Sequence, residues 1–380
     1  MKNSRTHFAD LLRGVAAIGV MCTHLGLMYY TGGASSAFPY MLPPVQESTI
    51  VSQISTFLSS CHFSLGPFSV ALFFLVSGFV INFSLRRNES FGRYFIRRLL
   101  RIWPLYVVGF SFTFVCIWLY IAYFRNMAVP FPYAFEDWLI QACLVQDIFW
   151  RPSIDGIIWT LQIEMHFYLV AYLLHRLSVL RSAKRLMIGG GGLCLLSWLG
   201  NRLLYTPGIS IGQYAILYII SQNAVFFLLM FIGNCVYQAY MGTWRFQTAI
   251  AEICGLFALF CVAANLSVMA SQASYQIVSC LLAVLLFVLF WRIEDKLPTW
   301  RGIQFISRNS YPLYIIHGVN GYLLMNILDH AGVSPALNIL IAMSVALSLA
   351  VIFHEFVEIP LQKFTGKIMQ PRKTPKSLCT

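Results

Sequence analysis

The first long apolar run of the chain, FADLLRGVAAIGVMCTHLGLMYY from Phe8 to Tyr30, is long enough to cross a bilayer as a helix, yet it holds Arg13 and His24. A titratable side chain in hydrocarbon is costly and faces a bundle interior or a wet cavity, so both residues are functional candidates. They lie eleven residues apart. On a regular helix that is three turns plus roughly 20°, which puts both on one stripe about 16 Å apart along the axis. Gly14, Ala16, Ala17 and Gly19 surround the stripe and allow close helix approach. The run predicts a central helix whose polar face looks into a bundle.

Comparable apolar runs recur along all 380 residues, of which 58% are hydrophobic and 11% charged, and this excludes an ordinary soluble domain. Spans read near 8–30, 66–85, 102–124, 157–177, 186–203, 214–240, 248–270, 274–292, 310–328 and 336–357. The fold class is therefore all-α, a polytopic transmembrane bundle of about ten spanning helices. The amphipathic stretch 138–150 is too short to cross and reads as a surface helix. The first run exceeds a signal-peptide core and carries Arg13, so it reads as a retained span. With the N-terminus inside, inside segments hold 22 Lys and Arg, while outside segments hold only Arg125, Arg151 and Arg202. That asymmetry predicts both termini in the cytoplasm, with a bacterial inner membrane as the location. The net charge of +12 is then topology and implies no nucleic-acid partner. Ten cysteines without a CxxC pair imply neither a metal site nor a disulfide framework. Residues 1–362 read as one transmembrane domain and 363–380 as a basic cytoplasmic tail against anionic lipid.

Within this frame, Asp10 precedes Arg13 by three residues and can pair with it. His24 lies roughly 20 Å along the axis from Leu11, where it serves as an interior hydrogen-bonding group or as a base or nucleophile. Glu164 sits roughly 10 Å below the outer surface in the fourth span. Its depth is comparable to that of His24, which makes an imidazole–carboxylate contact an expectation, whereas His166 points about 160° away from Glu164. RNESFGRYFIRRLLRIWPLYVV, from Arg87, brings five arginines to the cytoplasmic start of the third span. They anchor the inner face and also suit bidentate contacts to phosphate. Ser77 and Gly78 read as a small pair at a helix crossing, 31–65 as an irregular loop over the outer mouth, and His317 as a satisfied interior histidine. Gly189 to Gly192 is no phosphate loop, because no Lys-Ser/Thr follows, and the spans from 186 to 292 read as scaffold.

Taken in order, DLLRGVAAIGVMCTH, FFLVSGFVI, RRLLRIWPLY, WTLQIEMHFYL, SYPLYIIH and the closing Glu358-x-Pro360 resemble the acyltransferase 3 family from end to end. Its members are integral membrane enzymes that move acyl groups, often acetyl, onto carbohydrates and some other hydroxylated acceptors. The resemblance implies that Arg13 and His24 carry the central function, that Arg98 and Arg101 are important, and that Glu164 lies in a matching motif. Many members carry a second Glu and a Gln after the first, where this chain has Met165 and His166. The expected reaction takes an acyl group, acetyl in the first instance, from acyl-CoA to a hydroxyl of a carbohydrate or glycoconjugate. His24, Glu164 and Arg13 are the expected catalytic set; Arg97, Arg98 and Arg101 are expected to hold the phosphates of the acyl-CoA, with no metal. Both direct transfer and an acyl-histidine relay fit these residues, and oligomeric state is not encoded. The competing class is a transporter or flippase for a polar solute, which lacks support from inverted repeats or paired broken spans.

Overall fold

The computed structural model describes residues 6–38, 42–43, 48–85, 89–125 and 130–368. Arg86, Arg87 and the basic tail past residue 368 lie outside the described residues. Among the described residues every regular element is helical. In order these are α1 (His7–Met21, continued by a π-helical turn, Cys22–Met28), α2 (Gly33–Ala37), α3 (Thr49–Ser60), α4 (Leu65–Leu85) and α5 (Phe91–Leu119). Then follow α6 (Phe135–Ala142), α7 (Ile158–Arg176), α8 (Ala183–Leu203), α9 (Ile211–Tyr240), α10 (Phe246–Leu266) and α11 (Ala273–Arg292). The last are α12 (Arg301–Arg308), α13 (Ser310–Ile316), α14 (Gly318–His330), α15 (Pro335–Phe353) and α16 (Ile359–Ile368).

The chain is a multi-pass membrane protein, and seven helical stretches are long and apolar enough to cross a bilayer by themselves. The other three expected spans are present as helices that carry too many polar or broken positions to stand out. Gln162, Glu164 and His166 interrupt α7, four glycines and Asn201-Arg202 dilute α8, and the ninth span breaks into α13 and α14.

Three local expectations are corrected. The outer segment 31–65 is not irregular throughout, because α2 and α3 form within it. The helix expected over 138–150 is instead α6, which ends at Ala142; Leu144 takes a left-handed conformation (φ 60) that a helix cannot continue through. The third helix begins at Phe91 rather than near 102, so Arg93 to Arg101 project from its first three turns.

Helix α9 is buried on all sides from Asn223 to Gln238 and is the axis of the bundle. Helix α4 crosses it backbone against backbone: a Cβ on Gly78 would lie 2.0 Å from the Met230 carbonyl oxygen, and one on Gly233 would lie 2.2 Å from that of Leu75. Helices α1 and α11 pack on α4, α8 and α10 pack on α9, and α13 and α14 pack on α15.

Replacing Gly233 by Ala forces α4 and α9 apart and is expected to lower stability by about 1–3 kcal/mol. The measurement is thermal unfolding in detergent, with Gly191→Ala as the control, since nothing lies within 4 Å of an added Cβ there. Equal melting temperatures for Gly233→Ala and Gly191→Ala would contradict the crossing.

Candidate active site

Helix α1 runs regularly past Arg13 and then widens. The Thr23 hydroxyl donates to the Gly19 carbonyl at 2.8 Å, a back-bond that competes with the helical ladder, and the Tyr29 N–H donates five residues back to His24 at 3.3 Å. This π turn re-aims His24 relative to the stripe that a uniform helix would give. Its ring is half-buried. The partners of His24 come from α13 and α14: the Tyr322 hydroxyl is 2.9 Å from Nδ1, and the His317 ring stands edge-on with centroids 5.0 Å apart.

His317 occupies the break between α13 and α14. Its Nδ1 lies 3.0 Å from the Leu313 carbonyl and 2.9 Å from that of Tyr314. Both are acceptors only, so Nδ1 carries the proton and Nε2 of the neutral ring presents a lone pair. The side chain thus takes the Tyr314 carbonyl from the helical ladder, while the Leu313 carbonyl still accepts from the His317 N–H at 3.1 Å, and the helix is interrupted here. Nε2 is buried and has no partner among protein atoms. An unpartnered buried acceptor costs about 1–3 kcal/mol, which a hydroxyl ligand would recover. Tyr314 extends the cluster, with its ring 5.9 Å from that of His317 and its hydroxyl hydrogen-bonded to Thr160 and donating to the Ile157 carbonyl at 3.0 Å. Burial and the spacing of His317 had suggested a satisfied interior group; only one of its nitrogens is satisfied. The signal for the other role was the SYPLYIIH motif, whereas nothing in the sequence singled out Tyr322.

Glu164 is held elsewhere. Its carboxylate accepts from the Ser77 hydroxyl at 2.6 Å and from the Tyr168 hydroxyl one turn along α7. Arg13, about 29% exposed, sits 3.9 Å from Asp10 and within electrostatic range of Glu164 and Arg101. The expected contact between His24 and Glu164 is not formed: the carboxylate lies at the depth of Arg13 rather than at that of His24, whose ring meets Tyr322 and His317 instead. Ser77 does more than pack: it supplies one of the two hydroxyls on that carboxylate.

Of the arginines, Arg98 points inward and is only 3% exposed. Its guanidinium stacks over Tyr168 at 4.8 Å from the ring centroid, and its Nε and Nη2 have no hydrogen-bond partner. Arg97 is matched by a two-pronged pairing to Glu89, one arm at 3.0 Å. Arg101 is exposed and close enough to Arg13 and Tyr168 to influence both electrostatically. Among the described residues no group of three or more His, Cys, Asp or Glu side chains is placed to hold a metal ion.

The family model for acyltransferase 3, described as an acyltransferase domain, matches residues 6–355. Among curated relatives, a putative acetyltransferase, ORF330, of Acidianus two-tailed virus is 24% identical over 69% of this chain and 77% of its own length. The acyltransferase MdmB of Streptomyces mycarofaciens is 28% identical over 44% of this chain and 38% of its own. Nodulation protein 10 of Rhizobium leguminosarum bv. viciae is 29% identical over 30% of this chain and 34% of its own. No solved structure matches the chain.

Removing either hydroxyl from Glu164, by Ser77→Ala or Tyr168→Phe, is expected to destabilise the fold by about 1–3 kcal/mol, because a carboxylate lone pair in the bundle is left unpartnered. Thermal shift of the two single variants and their combination checks this. If the melting temperature of the double variant equals that of the unaltered protein, the hydroxyl clamp is not holding the carboxylate.

Proposed function

The chain belongs to the acyltransferase 3 family and is a multi-pass membrane acyltransferase; from that premise we propose that it moves an acyl group, acetyl in the simplest case, from cytoplasmic acyl-CoA to a hydroxyl of a carbohydrate or glycoconjugate. The observation that carries the reading is the facing pair His24 and His317, one half-buried and the other with a buried lone pair that no described residue claims. With Tyr322 accepting from Nδ1–H of His24 and donating to the Met28 sulfur, Nε2 of His24 also presents a lone pair.

In the proposed reaction the acceptor hydroxyl gives its proton to Nε2 of His24 as its oxygen bonds to the thioester carbonyl carbon. The carbon–sulfur bond then breaks, and the CoA sulfur leaves with the proton returned by the imidazolium. His317 accepts a second hydrogen bond from the acceptor and orients it. Transfer is proposed to be direct, with His24 as the base; an acyl-histidine relay would use the same nitrogen as the nucleophile.

The donor end is assigned to the basic face. Arg98, desolvated with two donor nitrogens unmatched, and Arg101 bind CoA phosphates. Arg13 stabilises negative charge that develops on the donor side, and its own charge is balanced by Asp10 and Glu164. Arg97 is already matched by Glu89, so its share in phosphate binding is secondary and it braces the start of α5. Glu164 acts by balancing the charge of Arg13. The asymmetry of basic residues supports a topology with both termini in the cytoplasm, and the location proposed with it is a bacterial inner membrane.

In liposomes supplied with acetyl-CoA and a sugar acceptor, His24→Ala is expected to lower kcat about 10²–10⁴-fold while thermal unfolding stays unchanged. Normal turnover by the folded variant would overturn the role of this histidine. Arg101→Ala, an exposed change, is expected to raise KM for acetyl-CoA more than KM for the acceptor, and the opposite split would refute docking on this face. Radiolabel from acetyl-CoA retained on the protein in the absence of acceptor would replace direct transfer with a relay.

A further inference from the structure

A cavity of about 630 Å³ opens between the outer parts of α7 and α9, at the end of the bundle opposite the arginine-rich face. Its volume falls within the range of pockets that enclose a small organic ligand. One wall is the loop from Cys143 to Ile157, and this loop is built at a cost: Leu144 and Trp150 both hold left-handed backbone conformations, φ 60 and φ 50, that residues other than glycine rarely adopt. The loop is pinned in that shape. Gln162 of α7 donates to the Leu144 carbonyl at 3.2 Å and to Asp147 Oδ1 at 2.8 Å, and Gln146 donates to Gln162 at 2.9 Å. At its far end buried Asp155 accepts from Tyr106, Ser153 and the N–H groups of Ile157 and Ile158. Strain held this firmly at a cavity wall argues that the wall's shape is used.

The lining combines flat aromatic faces with planar polar groups. Trp150 stands edge-on to Tyr214 and Tyr218, with centroids at 4.9 and 5.1 Å, and Trp159 lines the facing wall. Asp147 Oδ1 is committed to Gln162 and the Ile148 N–H, while Oδ2 receives no hydrogen bond from the described residues. The Gln222 amide and both indole N–H groups likewise have no protein partner there. Burial pushes the Asp147 carboxyl above its ordinary pKa, with His166 and the Ile148 N–H opposing that rise. Arg151, the cation at the rim, is already paired with Glu136 at 3.1 Å and Asp137 at 3.7 Å. No unmatched positive charge is offered to a phosphate or carboxylate.

Aromatic plates that cover the C–H faces of a ring, beside unclaimed amide, carboxylate and indole groups that suit vicinal hydroxyls, are the chemistry of an uncharged sugar. We infer that this cavity is a recognition subsite for a neutral saccharide unit of the acceptor, next to but distinct from the unit that receives the acyl group. The inference rests on the carbohydrate reading of the reaction proposed above. Position supports it. Trp159 faces the cavity, while the next residue, Thr160, bonds on the other side of α7 to Tyr314, which flanks His317. An oligosaccharide laid over the outer end of α7 therefore reaches both the cavity and the histidine pair, whereas a single sugar reaches only one. The role of the subsite is selection of a chain over a monosaccharide.

The test uses the full chain in lipid nanodiscs with two probe series, N-acetylglucosamine and its β-1,4-linked tetramer, and glucose with maltotetraose. Binding is read by saturation-transfer NMR without acetyl-CoA, and transfer is read with it. Trp150→Ala is expected to weaken tetrasaccharide binding and raise KM for that acceptor about tenfold. It should leave KM for acetyl-CoA and transfer to the monosaccharide unchanged. Gln222→Ala, whose side chain bonds to nothing in the protein, is the second variant in case Trp150→Ala fails to fold, and a severalfold rise in the same KM is expected. Unaltered tetrasaccharide binding and KM in both variants would overturn the subsite while leaving the reaction intact. Absence of transfer to either series by the unaltered protein, with tetrasaccharide binding that Trp150→Ala or Gln222→Ala abolishes, would instead strike the carbohydrate reaction and leave the subsite standing.

Discussion

A carboxyl group inside an apolar bundle must be matched by hydrogen-bond donors, and the arrangement around Glu164 shows how much structure that single requirement recruits. Its two hydroxyl partners come from α4 and from its own helix α7, and the nearby guanidinium of Arg13 comes from α1. Three helices are thereby tied at one depth. Close above, an added Cβ on Gly19 of α1 would lie 2.1 Å from the Ser69 hydroxyl of α4, so α1 can neither rotate nor slide there. The direction in which His24 leaves the helix follows from these constraints together with the widened turn that begins at Cys22. The polar stripe first seen in the sequence works as a chain of dependencies: the lower charge fixes the helix, and the fixed helix aims the imidazole.

The helical spans were legible because hydrocarbon imposes length and apolarity on every crossing. Even α7, α8 and the broken ninth helix could be read, since their polar residues interrupt long apolar runs without ending them. The partner of His24 was not legible. Depth along a uniform helix can be counted from the sequence, but direction requires the local pitch, and the back-bond from Thr23 to Gly19 alters the pitch just before the histidine. Nor could the sequence divide the two nitrogens of His317, because whether a carbonyl or a cavity faces each one depends on where α13 ends. Outer helices α2 and α3 escaped notice for a simpler reason: proline and glycine flank both, and neither is long enough to show a persistent period.

Both histidines stand where a helix is irregular, one in a π turn and one at a break. In a membrane, backbone groups released from the ladder need other partners, so irregular backbone persists only against protein or a polar cavity. Here side chains take up the slack: the His317 ring bonds to the Tyr314 carbonyl and the Asn320 amide donates to that of Ile316. The same hydrogen bond that disrupts the helix at His317 also fixes its tautomer, which leaves the opposite nitrogen as an acceptor.

Two kinds of arginine share the first turns of α5, and burial separates them. A cation that only anchors topology extends its head outward to water and lipid headgroups. Arg93, exposed at the start of α5, fits that description. Arg98 lies in the same helix, five residues on, yet turns its head inward over Tyr168 and leaves two donor nitrogens unmatched at 3% exposure. Desolvating a guanidinium in this way makes no contribution to orientation in the membrane and costs stability unless something anionic or strongly accepting completes it. The opposite end of the bundle carries no such unmatched cation around its cavity, where Arg151 is neutralised by Glu136 and Asp137. A charged donor drawn to one end and an uncharged acceptor to the other would meet between them, where His24 and His317 stand.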